Sequence, residues 1–218
     1  MRPFILAITL CLLATLPAFA LGPKLYAGGS LSYINPTGDF SKKDFTGLGG
    51  AAKSTVGGEV DLGVTDKSGS FYLGYRWATH KATGQVQVPG TNEFAAVNAT
   101  WWLDRWLLGA RWHILGELPI PITPTLGGGL TWGKSDLDAM GKGAAQDLKT
   151  SKLAEGSIGW FLEAGGLLYL TKALSLTADL QYHNFNAKYN SPVPGVLPNG
   201  TVKISFFTAG AGVRINLM

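Results

Sequence analysis

The stretch Ser70–His80, SFYLGYRWATH, alternates two kinds of side chain. One set of alternate positions is large and apolar, and it consists of Phe71, Leu73, Tyr75 and Trp77. The intervening positions carry small or polar residues and one arginine, Arg76. Because successive side chains of a β-strand point to opposite faces, this period of two predicts a strand with an apolar face and a polar face. The fold depends on which of these faces points outward.

The same alternation recurs along the chain, between segments rich in Gly, Lys, Asp, Asn and Pro. It predicts further strands at Lys24–Tyr33, Val56–Asp66, Trp102–Ile114, Thr123–Lys134, Ser157–Leu170, Leu174–Phe185 and from Phe207 to the end. Short connections alternate with long ones, and the long ones are Asn35–Thr55, Lys81–Ala99, Ser135–Ala154 and Asn186–Gly200. Near Ser205 and Phe206 the apolar positions change phase, so a β-bulge is expected there.

The polar phase of these strands carries charges of both signs among many small residues. The charged residues are Glu59, Asp61, Arg76, Arg105, Arg111, Glu163, Asp179 and Arg214. The apolar phase carries aromatic residues near the strand ends, namely Tyr33, Phe71, Trp77, Trp102, Trp112, Trp132, Tyr182 and Phe207. A soluble barrel or sandwich would bury the apolar phase. An outer-membrane barrel would turn it towards lipid between two aromatic girdles and keep a polar interior.

The second arrangement is favoured. Small residues fit the crowded interior of a narrow barrel, and short turns that alternate with long loops are typical of outer-membrane proteins. We therefore predict an all-β fold, an antiparallel up-and-down transmembrane β-barrel of about eight strands, with the charged residues meeting in its lumen. The short turn at Lys67 then brings Glu59 opposite Arg76 on the inward face.

The first 20 residues have the features of a secretory signal. A basic start at Arg2 precedes an apolar run and ends in Ala18-Phe19-Ala20, which predicts a signal peptide over 1–20 and a barrel domain over 21–218 rather than a membrane anchor. The single cysteine, Cys11, lies in that segment, so no disulfide is expected in the mature chain. The net charge of +4 favours neither nucleic-acid binding nor a polybasic membrane patch.

On these patterns the sequence resembles the small eight-stranded outer-membrane barrels of the OmpA/OmpX type. The nearest thing to a motif is the last strand, FTAGAGVRINLM, which ends in Met218 where such barrels commonly have an aromatic residue. The resemblance implies the bacterial outer membrane as location. It also implies membrane lipids, lipopolysaccharide and the outer-membrane assembly machinery as partners.

Little in the sequence indicates catalysis. No carboxylate stands at ligand spacing beside His80 or His183, and no serine stands two positions after His113 or His183 as a lipid A deacylase would require. Ser157 or Ser205 would have to approach a histidine in space to act as a nucleophile. We expect no enzyme activity and no cofactor. The favoured function is a structural or surface-interaction role with a plugged lumen, and the alternatives are a transporter for small or hydrophobic molecules and a lipid A-modifying enzyme.

Overall fold

The computed structural model describes residues 23–42, 51–87, 94–114, 121–142, 147–150, 157–189 and 200–217. The expected signal peptide lies outside these residues. The strands are β1 (Lys24–Thr37), β2 (Thr55–Thr65), β3 (Gly69–Gln87), β4 (Phe94–His113), β5 (Ile122–Lys142), β6 (Asp147–Thr150), β7 (Ser157–Tyr169), β8 (Leu174–Tyr189) and β9 (Gly200–Leu217). A short 3-10 helical turn, Gly38–Ser41, follows β1. Within the described ranges, no helix is long and apolar enough to cross a membrane.

Eight of the strands form a closed antiparallel barrel, which confirms the predicted up-and-down fold. The order around the ring is β1, β2, β3, β4, β5, β7, β8 and β9, and β9 closes onto β1 in a ladder from Leu217–Leu25 to Ser205–Thr37. The short strand β6 lies outside the ring and pairs with the end of β5. Opposite walls of the barrel are therefore four strands apart in this order, so that β3 faces β8 and β2 faces β7.

On the side of the long connections the strands extend further than the sequence predicts. β3 continues to Gln87, β4 already begins at Phe94, and β5 continues to Lys142. Much of Lys81–Ala99 and Ser135–Ala154 is therefore strand, and their prediction as loops is wrong. The polar composition of these segments hid the strands. Lys81, Thr83, Asn98 and Asp138 are exposed there, whereas Ala82, Ala99 and Leu137 are buried.

The polarity of the two barrel faces reverses along the axis. Towards the short turns, the outward residues of β9 from Phe207 to Leu217 carry no charge and are exposed. Ten residue steps at about 3.3 Å, tilted by about 40°, give a band about 25 Å high, the height of the lipid-facing band in outer-membrane barrels. Towards the long connections, the interior holds a buried cluster that includes Ile34, Phe40, Trp101, Leu103, Leu137, Phe185, Val202, Ile204 and Phe206.

This reversal also corrects the predicted bulge near Ser205. The ladder between β8 and β9 runs without interruption from Phe185–Ile204 to Tyr182–Phe207. The side chains of Ile204 and Phe206 point inward, in step with Thr208. The apparent change of phase is a change in the polarity of the inward face, from polar near the short turns to apolar near the long connections.

Asp66 organises the short turn between β2 and β3. Its carboxylate accepts hydrogen bonds from the Ser68 N–H at 2.8 Å, the Ser68 hydroxyl at 2.7 Å and the Gly69 N–H at 2.8 Å. Burial raises the pKa of the Asp66 carboxyl, but the hydrogen bonds from Ser68 and Gly69 outweigh it and hold that pKa below its usual value. The charged form of Asp66 is thus stabilised by the folded turn.

Candidate functional site

Arg76 of β3 is bonded to three other strands in the lumen. Its Nε donates a 3.0 Å hydrogen bond to Oε2 of Glu59 on β2, and its Nη2 also donates to that oxygen. From the opposite wall, β8 places Oε1 of Gln181 2.8 Å from Nη2 and Nε2 of His183 2.7 Å from Nη1. The hydroxyl of Thr208 on β9 lies 3.4 Å from Nη1. The side chains of Arg76 and Glu59 are 3% and 4% exposed, so Arg76 links its neighbour β2 and the facing strand β8 away from bulk water.

Arg111 of β4 joins a second pair of opposite walls. Its Nε lies 2.5 Å from Oε1 of Glu163 on β7, and its Nη1 lies 3.3 Å from Oδ2 of Asp61 on β2. The hydroxyl of Tyr72 donates a 2.6 Å hydrogen bond to the other oxygen of Glu163. The guanidinium of Arg111 lies 4.1 Å from the centre of the Tyr72 ring. The Arg111 guanidinium therefore forms charge-assisted hydrogen bonds with carboxylates on two facing strands.

The other three charged residues of the predicted network also point inward, but they are not paired with one another. Arg105 donates to the Thr131 hydroxyl at 3.2 Å and to the Ser157 hydroxyl at 3.0 Å. Arg214 lies 3.6 Å over the ring of Tyr26. Asp179 accepts a 3.0 Å hydrogen bond from the Gln181 amide. Among the described residues, ion pairs in the lumen join Arg76 and Arg111 to three carboxylates.

Arg105 also depends on a glycine of the adjoining strand. Its Nη1 donates a 3.2 Å hydrogen bond to the carbonyl oxygen of Gly133 on β5. Gly133 has a φ of +150°, and a Cβ built there would lie 2.1 Å from the carbonyl oxygen of Asp104. A larger residue would strain this segment of backbone and displace the acceptor of Arg105.

The histidines have ordinary structural partners. Nδ1 of His80 lies 2.8 Å from the Lys53 carbonyl oxygen, and Nδ1 of His113 lies 3.1 Å from the Asp66 carbonyl oxygen. His183 belongs to the Arg76 cluster. Among the residues that the structure describes, no group of three or more His, Cys, Asp or Glu side chains is placed to hold a metal ion.

The two serines considered as nucleophiles have other partners. The Ser157 hydroxyl accepts from Arg105 at 3.0 Å, and the Ser205 hydroxyl accepts from the Asn184 amide at 2.9 Å. In the described part of the chain, neither hydroxyl has a hydrogen bond to a histidine. These two hydroxyls are therefore not paired with a base of the kind that nucleophilic catalysis needs.

Phe40 enters the mouth of the barrel from the turn after β1. Its side chain is fully buried, with its ring centre 5.2 Å from that of His80 and 5.6 Å from that of Trp101. The N–H of Ala52 donates a 2.9 Å hydrogen bond to the Phe40 carbonyl oxygen. The sequence did not indicate this contact, because a single 3-10 turn has no period of two.

The aromatic residues assigned to girdles all lie on the outward phase. Seven of them are exposed and Tyr182 is partly exposed. The exposed group consists of Tyr33, Phe71, Trp77, Trp102, Trp112, Trp132 and Phe207. Two further tryptophans, Trp106 and Trp160, are also exposed on this surface, at 44% and 43%. Both lie on the outward phase of their strands, but their positions in mid-strand concealed that they adjoin the same aromatic surface.

A family model described as the outer membrane protein beta-barrel domain matches residues 5–214. Among solved structures, the chain is similar to the outer membrane protein OprG from Pseudomonas aeruginosa, with 15% identity, a TM-score of 0.55, and coverage of 89% of this chain and 96% of that one. A major outer membrane protein from Thermus thermophilus has 12% identity and a TM-score of 0.52, with coverage of 90% and 100%. The outer membrane protein AlkL has 13% identity and a TM-score of 0.50, with coverage of 89% and 90%. No curated protein sequence matches the chain. At these identities the structural likeness concerns the fold.

Proposed function

Because the chain belongs to the outer membrane protein beta-barrel family, we propose that it is a barrel with a plugged lumen that acts through its surface rather than as a pore. The protein is located in the bacterial outer membrane. One observation supports the plugged lumen above all others. Arg76 is hydrogen-bonded to the wall that faces it as well as to its neighbour Glu59.

The cost of opening the lumen supports this proposal. A path for ions or solutes would have to separate Arg76 and Arg111 from carboxylates that are almost fully buried with them. Breaking a buried charge pair costs about 3–5 kcal/mol when one partner is left without compensation. At equilibrium, a cost of about 4 kcal/mol holds an open state to about one molecule in a thousand.

The apolar half of the interior adds a second obstacle. Phe40, Trp101 and Phe206 are each at most 2% exposed, and they belong to the cluster that lies between the charged residues and the long connections. Beside the charges, the structure leaves a cavity of about 30 Å³ lined by residues such as Asp61, Arg111 and Arg214. That volume suits a water molecule rather than a transported solute.

If the interior is closed, the surface carries the function. The strand extensions, such as the end of β8 at Lys188, reach beyond the apolar band, where a polar outer face is available to partners. The expected partners are membrane lipids and lipopolysaccharide, with the assembly machinery acting on β9 during insertion. A transporter for small or hydrophobic molecules is the competing function.

Liposome swelling separates the two functions. Purified protein would be reconstituted into vesicles containing isotonic solutes of increasing size, beginning with glycerol-sized molecules and ending with disaccharides. We expect swelling no faster than in protein-free vesicles, with a general porin as the positive control. Swelling that depends on solute size would replace the surface role with a channel.

A further inference from the structure

The outer surface of β8 and β9 carries an ordered series of side chains above the lipid-facing band. The outward pair Tyr182–Phe207 comes first, then Asn184–Ser205, in which Asn184 is half-buried and Ser205 is buried, and then the exposed pair Asn186–Lys203. The aromatic rings of Tyr182 and Phe207 lie 4.8 Å apart, and the Asn184 amide donates to the Ser205 hydroxyl at 2.9 Å. Apolar, aromatic, amide and cationic groups thus succeed one another in the order in which a lipid presents its chains, interface and headgroup.

Two lysines form the cationic end of this series. Lys203 opposes Asn186 and Lys188 opposes Thr201, so the two lysines are diagonal neighbours, about 7–8 Å apart at the backbone. Both are exposed. In the described part of the chain neither ammonium lies within 4.0 Å of a carboxylate. Among the residues described, this pair therefore attracts anions without a competing carboxylate.

The height of Lys203 fits a headgroup. It lies four residues beyond Phe207 on β9. At about 3.3 Å per residue and a tilt of about 40°, the backbone of Lys203 is about 10 Å above the aromatic ring that marks the membrane interface.

An apolar groove lies below the lysines. It has a volume of about 500 Å³ and is lined by residues that include Leu162, Leu180, Tyr182, Phe207 and Ala209. The groove arises because the small side chain of Ala209 stands opposite Leu180 in the β8–β9 ladder. It opens onto the surface that faces lipid, and its lining matches an acyl chain.

The far side of the barrel differs in charge although its layout is similar. Lys81 lies four residues beyond Trp77 on β3, the same spacing as Lys203 beyond Phe207. However, Thr100 opposes both Lys81 and Asp138 in the adjoining ladders, and Asp104 opposes Trp77. Carboxylates on that surface disfavour an anionic lipid, whereas the β8–β9 surface has two lysines in place of them.

We propose that the outer face of β8 and β9 binds one phosphorylated glycolipid of the outer leaflet, of the lipid A class. Its phosphate is held by Lys188 and Lys203, its sugar contacts the amides of Asn184 and Asn186, and an acyl chain lies in the groove beside Ala209. This site is on the outside of the barrel. The inference rests on the surface role proposed above, but it does not depend on whether the lumen is open or closed.

The test is native mass spectrometry of the full-length mature protein refolded in an uncharged detergent. The protein would be titrated with bisphosphorylated lipid A, with phosphatidylglycerol as an anionic reference and with a neutral phospholipid as a second reference. Each lysine near an anionic lipid surface contributes about 1 kcal/mol, so the Lys188→Ala/Lys203→Ala variant should bind lipid A about thirtyfold more weakly. Lys81→Ala is the matched control and should bind as the wild type does.

A second variant separates the groove from the charges. Ala209→Phe fills the groove while leaving both lysines in place, and we expect it to weaken binding of lipid A without changing the heat-modifiable gel mobility that reports a folded barrel. The proposal is overturned if the double-lysine variant binds as tightly as the wild type, or if Lys81→Ala causes an equal loss. Equal binding of phosphatidylglycerol would also overturn it, because the site would then recognise charge alone.

Discussion

Removing either partner of the Arg76–Glu59 pair should lower the free energy of unfolding of the barrel. Removing both should lower it by less than the sum of the two single losses. Arg76→Ala deprives the Glu59 carboxylate of both its described hydrogen bonds and leaves it buried. We expect a loss near the upper end of the range for broken buried pairs, about 5 kcal/mol. Glu59→Ala leaves Arg76 with acceptors on β8 and β9, so a loss of about 3 kcal/mol is expected. The double variant leaves neither charge behind but also lacks the hydrogen bonds of Arg76 to β8 and β9. It should therefore lose about 5 kcal/mol, which corresponds to a coupling energy of about 3 kcal/mol.

The coupling is measured by urea unfolding of the four proteins in lipid vesicles, followed by tryptophan fluorescence. Equal m-values would show that the variants change stability rather than the extent of unfolding. Lys81→Ala and Lys203→Ala, which lie on the outer surface of separate strands, provide a control cycle that should be additive within about 0.5 kcal/mol. Additive losses in the Arg76–Glu59 cycle would refute the reasoning, as would a Glu59→Ala variant that is less stable than Arg76→Ala.

Three further predictions concern other parts of the chain. Gly133→Ala should destabilise the barrel by about 1–3 kcal/mol, because the backbone there is unfavourable for other residues and the new Cβ meets a carbonyl oxygen; urea unfolding would measure it, and an unchanged midpoint would contradict it. Because the folded turn lowers the pKa of Asp66, its stabilisation should be present above the ordinary carboxyl pKa and disappear as the pH falls through the lowered value. The difference in unfolding free energy between wild type and Asp66→Ala should therefore shrink between about pH 5 and pH 2, and a difference that stayed constant would exclude this role. Trypsin added to intact cells should cut at Lys142 or Lys149 and spare Lys67, whereas cleavage at Lys67 alone would invert the topology.

The alternation of side chains predicted much of the fold because the lipid-facing band obeys a simple rule. In Ser70–His80 every second residue points to lipid, and the pairing of Glu59 with Arg76 follows from the short turn between their strands. The rule fails beyond the band, where the outside is polar and the inside is apolar. Val202 and Ile204 therefore suggested a bulge that does not exist.

The contacts across the lumen were harder to predict than the strands. Pairing of neighbouring strands follows from turns, but Gln181 and His183 approach Arg76 only because the barrel closes with β8 opposite β3. Tyr72 and Tyr26 both lie on the inward phase of their strands. Nothing local in the sequence marks Tyr72 as the donor to Glu163 or Tyr26 as the ring on which Arg214 lies. Such partners depend on the closed ring and on the register of every strand.

The plugged lumen is tested most directly by recording current through single wild-type molecules in a planar lipid bilayer. The hydrogen bonds of Arg76 to β2, β8 and β9 predict no stable open level above the baseline of the membrane, at either polarity and in concentrated KCl. Insertion would be established independently, by protease protection in vesicles of the same lipid. A large and stable single-channel conductance from folded wild-type protein would contradict the account.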